Sequence, residues 1–252
     1  MGTDNFNINR LYLLIQRQLV VNKKNLFIAF AACFGTILTI FLFIIYGSAT
    51  VLYIPLIAIS FSVIFIGGYI FTSIGFNELH TPDKAYQYLT LPATTLEKLL
   101  SVWLLTSFIY IAISLILIGI IALLGNLFAL AIGAGTQGIN ALKQIPIFTL
   151  IGIYLITQTV FLLGSCYFRK NNFLKTLLTL FVFGLVLSIY TCINGLIIFH
   201  TYNINFNDQN TSVSLKYFME HTFPFIMKLV FEFLVAPFFL TVSYFVLKER
   251  QV

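Results

Sequence analysis

The chain has 252 residues, of which 60% are hydrophobic and only 9% charged, with a mean hydropathy of +0.98 and a net charge of +6. Soluble domains run at about 45–50% apolar and about 25% charged, so a water-soluble globule is excluded and a polytopic, all-α membrane protein is expected. The positive charge is no nucleic-acid signal, because no basic patch alternates with exposed aromatics; it reads as the basic bias of cytoplasmic loops.

Residues 8–24 predict an amphipathic helix. Ile8, Leu11, Tyr12, Ile15 and Leu19 fall on one side at 100° per residue, and Arg10, Arg17 and Lys24 form a stripe opposite. Such a helix suits the membrane surface, with its cations toward anionic headgroups. Six spans are expected at about 26–46, 51–74, 99–124, 146–168, 173–199 and 222–247, in a single transmembrane domain over 1–252. Trp103 reads as an interfacial anchor of the third span, Gly125-Asn126 as its break, and Pro237 as a kink in the sixth. Residues 127–145 read as an external loop with a membrane-dipping part, and 200–221 as a second polar segment that contains the sequon Asn210-Thr-Ser. Cys33, Cys166 and Cys192 lie in or beside apolar runs with no C-x-x-C spacing, so they read as small buried hydrophobes.

Between spans two and three lies a polar island, from Gly75 to about Lys98, with two helix-start signals. Thr81 reads as an N-cap, followed by Pro82 in the first turn and Asp83 on the positive end of the dipole. Thr94 and Glu97 have the spacing of a capping box ahead of an apolar run. A linker needs neither cap, so the island predicts a short helix, a break at Leu91-Pro92 and a second helix that runs into the bilayer, together a docking surface for a cytoplasmic partner.

Orientation follows from the basic residues. Arg10, Arg17, Lys23, Lys24, Lys84, Lys98, Arg169, Lys170, Lys175, Lys248 and Arg250 fall on one side, which makes 11 of the 14. Both termini and the island are therefore expected in the cytoplasm, as an even number of spans requires.

Catalytic constellations are missing from the sequence. There is no G-x-x-x-x-G-K-[ST] phosphate loop, no H-E-x-x-H pair and no G-x-S-x-G elbow, and His80, His200 and His221 are scattered. No metal site and no cofactor is expected in this chain. Of the eight acids, only Glu232 falls deep in a span, with Lys228 one turn earlier. Charges at such depth mark pathways or relays, or else pair locally with the lysine snorkelling outward. Ser188, Thr191 and Asn194 on the fifth span carry the same two readings, pathway lining or helix–helix hydrogen bonding.

The order of elements resembles the permease subunits of type-2 ABC exporters, which are bacterial inner-membrane proteins. Tyr88-Leu-Thr-Leu-Pro-Ala-Thr-Thr-Leu-Glu-Lys98 is similar to their "LPxSxxEK" segment, with Thr94 in place of Ser. Arg10-Leu-Tyr-Leu-Leu-Ile-Gln-Arg-Gln-Leu followed by Asn22-Lys-Lys24 is similar to their N-terminal lead-in. The resemblance implies a coupling helix over Thr81 to Tyr88, including Pro82, Asp83, Lys84 and Tyr86, with Thr94 and Glu97 fixing the helix that follows. It also implies a homo- or heterodimer of permeases and a separate ATPase that carries ATP and Mg. The alternatives are an ion-coupled secondary transporter centred on Lys228 and Glu232, with Asn194 as a further pathway residue, and a non-transporting membrane scaffold.

Overall fold

Long apolar runs in a chain with few prolines become long helices, because a helix satisfies every backbone polar group within its own segment. The computed structural model describes residues 6–48, 50–51, 53–133, 135–136, 146–202 and 221–250. The helices are α1 (Ile8–Ser48), α2 (Tyr53–Ile74), the short α3 (Pro82–Leu89), α4 (Thr95–Ala131), α5 (Ile147–Tyr167), α6 (Asn172–Tyr202) and α7 (Phe223–Glu249). A 3-10 turn, Asn77–His80, precedes α3. All except α3 contain a stretch long and apolar enough to cross a membrane. The chain is an all-helical, multi-pass membrane protein. The only strand pairing among the described residues is a two-residue parallel ladder, Thr50–Val51 (β1) against Gly135–Thr136 (β2), which ties the end of α1 to the end of α4.

Two features depart from the pattern read from sequence. First, residues 8–24 are not a separate helix; they continue without a break into the first span. At 1.5 Å per residue the 41 residues of α1 reach about 60 Å, twice the hydrocarbon core, so one end must stand clear of the bilayer. Secondly, Gly125 and Asn126 do not end the third span, since α4 runs on to Ala131. Asn126 Nδ2 donates to the Ala122 carbonyl at 2.9 Å, one turn back in the same helix. Gly125 leaves room for the ring of Phe41 on α1. Trp103 is half-buried and packs against the lower cluster. The 137–145 part of the expected external loop, the sequon and Asp208 lie outside the described residues.

Three clusters hold the bundle. Ile37, Phe41, Ile45, Leu56, Ile121 and Ala129 join α1, α2 and α4 near the ladder. Ile64, Tyr110 and Tyr154 occupy the middle, with Phe30, Phe65 and Tyr69 around them. Phe76, Tyr88, Leu99, Val102, Leu162, Cys166 and Leu247 form the lower cluster and join α3, α4, α5 and α7. Of the cysteines only Cys166 is fully buried; Cys33 is half-buried and Cys192 exposed.

Two helices widen by a π turn. In α4 it spans Leu105–Ile109, and there the Tyr154 hydroxyl donates to the Thr106 carbonyl at 2.9 Å. In α7 it spans Phe231–Val235, directly before Pro237. The proline ring would collide with the carbonyl four residues back, Phe233, and the wider turn relieves that crowding.

Where α5 meets α6 the approach is close enough that a Cβ on Gly164 would strike Thr176. Gly164→Val is expected to lower stability by about 1–3 kcal/mol, whereas Gly119→Ala, with nothing within 4 Å, leaves it unchanged. Thermal unfolding of the detergent-solubilised variants measures both.

Candidate functional site: the fastened polar island

The island folds by local rules and is then tied to distant elements. Thr94 has the extended backbone of an N-cap; its hydroxyl accepts from the Glu97 amide at 3.2 Å, and the Glu97 carboxylate accepts from the Thr94 amide at 2.8 Å. This is the expected capping box, and it starts α4. The carboxylate does more than cap. Its Oε1 accepts from the Asn7 amide at 2.7 Å and pairs with Arg10 Nη2 at 3.1 Å. One fully buried carboxylate therefore satisfies the start of α4 and the start of α1 together.

A second bond lies two turns along α1. Arg17 Nη1 donates to Glu78 Oε2 at 2.9 Å, which ties α1 to the 3-10 turn. Gln18 Nε2 reaches the Ser101 hydroxyl at 3.3 Å. Arg10 and Arg17 thus pair with acids of their own chain. The exposed side of this part of α1 carries Ile8, Tyr12, Leu13 and Val20 instead. Burial of a carboxylate outweighs amphipathic sorting, because an unpaired buried charge costs several kcal/mol.

The start of α3 is less conventional. Thr81 has extended backbone and its carbonyl accepts from the Ala85 amide at 2.8 Å, but its hydroxyl does not cap the helix; it donates to the Glu78 carbonyl at 3.2 Å. Pro82 opens α3 and Asp83 follows it in the first turn. Lys84 and Tyr86 are exposed. Tyr88 is not: only 2% of it is accessible, its ring lies edge-on to Phe76, and Lys98 Nζ sits 5.5 Å from the ring centroid. Burial pushes its phenol well above the usual range, so it stays protonated. Of the residues expected to face a partner, Lys84 and Tyr86 are presented outward, while Tyr88 and Glu97 anchor the island from within.

His80 provides a third tie. Its Nε2 donates to the Ser165 carbonyl at 2.8 Å, and its Nδ1 accepts from Arg250 Nη1 at 3.0 Å. A carbonyl cannot donate and a guanidinium cannot accept, so the ring is the neutral tautomer with its proton on Nε2. Arg250 Nη2 donates to the Tyr167 carbonyl at 2.7 Å. The 3-10 turn is thereby joined to the ends of α5 and α7. Burial lowers the His80 pKa, the Ser165 carbonyl acts in the opposite sense, and the charges of Arg250 and Arg169 lower it further.

The expected pathway residues stand apart from the island. Lys228 Nζ and Glu232 Oε1 are 3.8 Å apart on α7, with both side chains substantially exposed at 68% and 42%. Asn194 Nδ2 donates to the Tyr190 carbonyl at 2.7 Å on its own helix, as Thr191 does to Leu187. The hydrogen bond of Asn194 and the Lys228–Glu232 contact each stay within one helix. No group of three metal-binding side chains occurs among the described residues.

Reading the sequence alone missed Arg10, Arg17, Glu78, His80 and Arg250 as ties. The available signal was scarcity: with eight acids in the chain, each one near a span end needs a cation, and Arg10 and Arg17 are two turns apart on one face. Comparison with known proteins gives no matching family model, no matching curated protein and no matching solved structure.

Glu97→Ala removes the buried carboxylate that pairs with Arg10 and one half of the capping box of α4, and should cost about 3–5 kcal/mol, against about 1 kcal/mol for Thr94→Ala; chemical denaturation in detergent separates the two. His80 contributes stability that is full above its unfolded pKa of about 6.5 and is lost as the pH falls below it, because only the unfolded chain readily takes the proton. The unfolding temperature should therefore drop between pH 7.5 and 5.5, and drop less in His80→Gln, whose amide can still donate and accept.

Proposed function

We propose that this chain is the membrane subunit of an ATP-driven exporter of the type-2 ABC class, not itself catalytic, that couples to a separate ATPase through the 75–98 island. The single observation that carries the reading is a short helix, α3, that displays Lys84 and Tyr86 from an island fastened to α1, α4, α5 and α7. A partner that pushes on such an element moves spans as well as a loop. ATP and Mg belong to the partner chain in this reading, in keeping with a sequence that has no phosphate loop.

The island would face the cytoplasm of a bacterial inner membrane, with both termini on that side, on the strength of the basic residues gathered there. The outward side of α6 supports pairing with a second permease copy. From Leu177 to Ile193 it is exposed along its whole length, and it carries Thr191 beside large apolar residues. Small polar groups on such a face suit a neighbouring helix as well as lipid. The ion-coupled reading is weaker, because the Lys228–Glu232 pair is an exposed contact within one helix.

Purification of the tagged chain in mild detergent, followed by mass spectrometry, is expected to recover an ABC ATPase in stoichiometric amount. Lys84→Glu combined with Tyr86→Ala should reduce that recovery at least tenfold with no change in thermal unfolding. A homo-oligomer free of any ATPase would overturn the reading.

A further inference from the structure

Between the 3-10 turn, α3, the turn from α5 to α6 and the end of α7 lies a cavity of about 310 Å³, lined by Leu79, His80, Ala85, Leu89, Arg169 and Arg250. That volume is at the lower end of small-molecule sites. Two of the described lining residues are arginines and none is an acid. Arg250 is set in place by its bonds to His80 Nδ1 and the Tyr167 carbonyl, which use two of the five N–H donors of a guanidinium. Arg169 is exposed and makes no hydrogen bond or ion pair among the described residues. Two guanidinium groups on one cavity repel each other, and an anion between them relieves that repulsion while accepting paired N–H bonds.

The position of the cavity selects among anions. It lies where three stretches long and apolar enough to cross a membrane end, α2 at Ile74, α5 at Tyr167 and α7 at Glu249, so the headgroup layer would begin there. Half its lining is apolar, from Leu79, Ala85 and Leu89. A soluble anion has no use for those side chains. A lipid does, since its phosphate is followed by glycerol and methylenes, and basic pockets between spans take anionic headgroups. We propose that this cavity binds the phosphate of an anionic phospholipid, with Arg169 and Arg250 as its ligands and the leucines against the glycerol end. The bound lipid bridges α3 to the ends of α5 and α7. This assignment does not depend on the exporter reading.

The test is native mass spectrometry of the full chain in detergent, titrated separately with phosphatidylglycerol, phosphatidylcholine and inorganic phosphate at pH 7.5. Arg250→Gln also removes the bonds to His80 and Tyr167, so Arg169→Gln is the decisive variant, with Lys170→Gln on the same turn as control. The expected result is one saturable phosphatidylglycerol adduct, at least tenfold tighter than phosphatidylcholine. It should weaken about tenfold in Arg169→Gln, stay unchanged in Lys170→Gln and resist displacement by millimolar inorganic phosphate. Equal phosphatidylglycerol binding by wild type and Arg169→Gln overturns the proposal. Saturable binding of inorganic phosphate without lipid preference overturns the lipid source and leaves a soluble phosphate. Loss of a co-purifying protein in Arg169→Gln, with lipid binding unchanged, overturns it in favour of an acidic protein partner.

Discussion

A buried carboxylate must be answered by donors or it will not stay charged, and Glu97 is answered by three. One comes from its own turn, the Thr94 amide, and two from the start of α1, the Asn7 amide and Arg10. Everything on this side of the protein depends on that arrangement. It sets where α4 begins, it fixes the near end of α1 against it, and it brings Arg17 to Glu78 and Gln18 to Ser101 two turns on. Remove the acid and the first turns of two helices lose a common reference point. The apolar lower cluster, by contrast, is spread over four helices and has no single residue of comparable leverage.

What could be read in the sequence followed the range of the interactions. The six spans are visible because hydropathy is a property of a contiguous window, and the capping box is visible because its two partners are three residues apart. Arg10 and Glu97 meet across a separation that no local pattern encodes, and so the stripe of Arg10, Arg17 and Lys24 looked like a face for headgroups. Tyr88 sits in a segment polar enough to look solvent-exposed, yet Phe76 and Lys98 fold over it. Gly125-Asn126 carries the composition of a break, but the glycine is there to admit Phe41 and the asparagine bonds within its own helix. For Arg10, Tyr88 and Gly125 a tertiary neighbour decided the matter, and the residue type was compatible with either outcome.

The two halves of the bundle differ in how they are held. Around the island, ion pairs, capping bonds and the His80–Arg250 contact lie on top of an apolar cluster. Toward the far side, α6 and the first half of α7 show most of their side chains outward. The polar groups there bond within their own helix: Thr191 to Leu187 and Asn194 to Tyr190. In a bilayer such helices are stable as single elements, because their backbone needs no neighbour, and their lateral partners are left to lipid or to another chain.

The unbroken length of α1 has a mechanical meaning. A helix that passes from Asn7 beside Glu97 to the ladder at Thr50–Val51 without a hinge is a lever, with one arm in the polar island and the other reaching the opposite face. Over about 60 Å, a rotation of about 5° at the near end carries the far end about 5 Å. Since β1 is paired with β2, that displacement would arrive at the end of α4 as well as of α1. The island and the ladder are then the two ends of one rigid part, and neither can shift far while the other stays still.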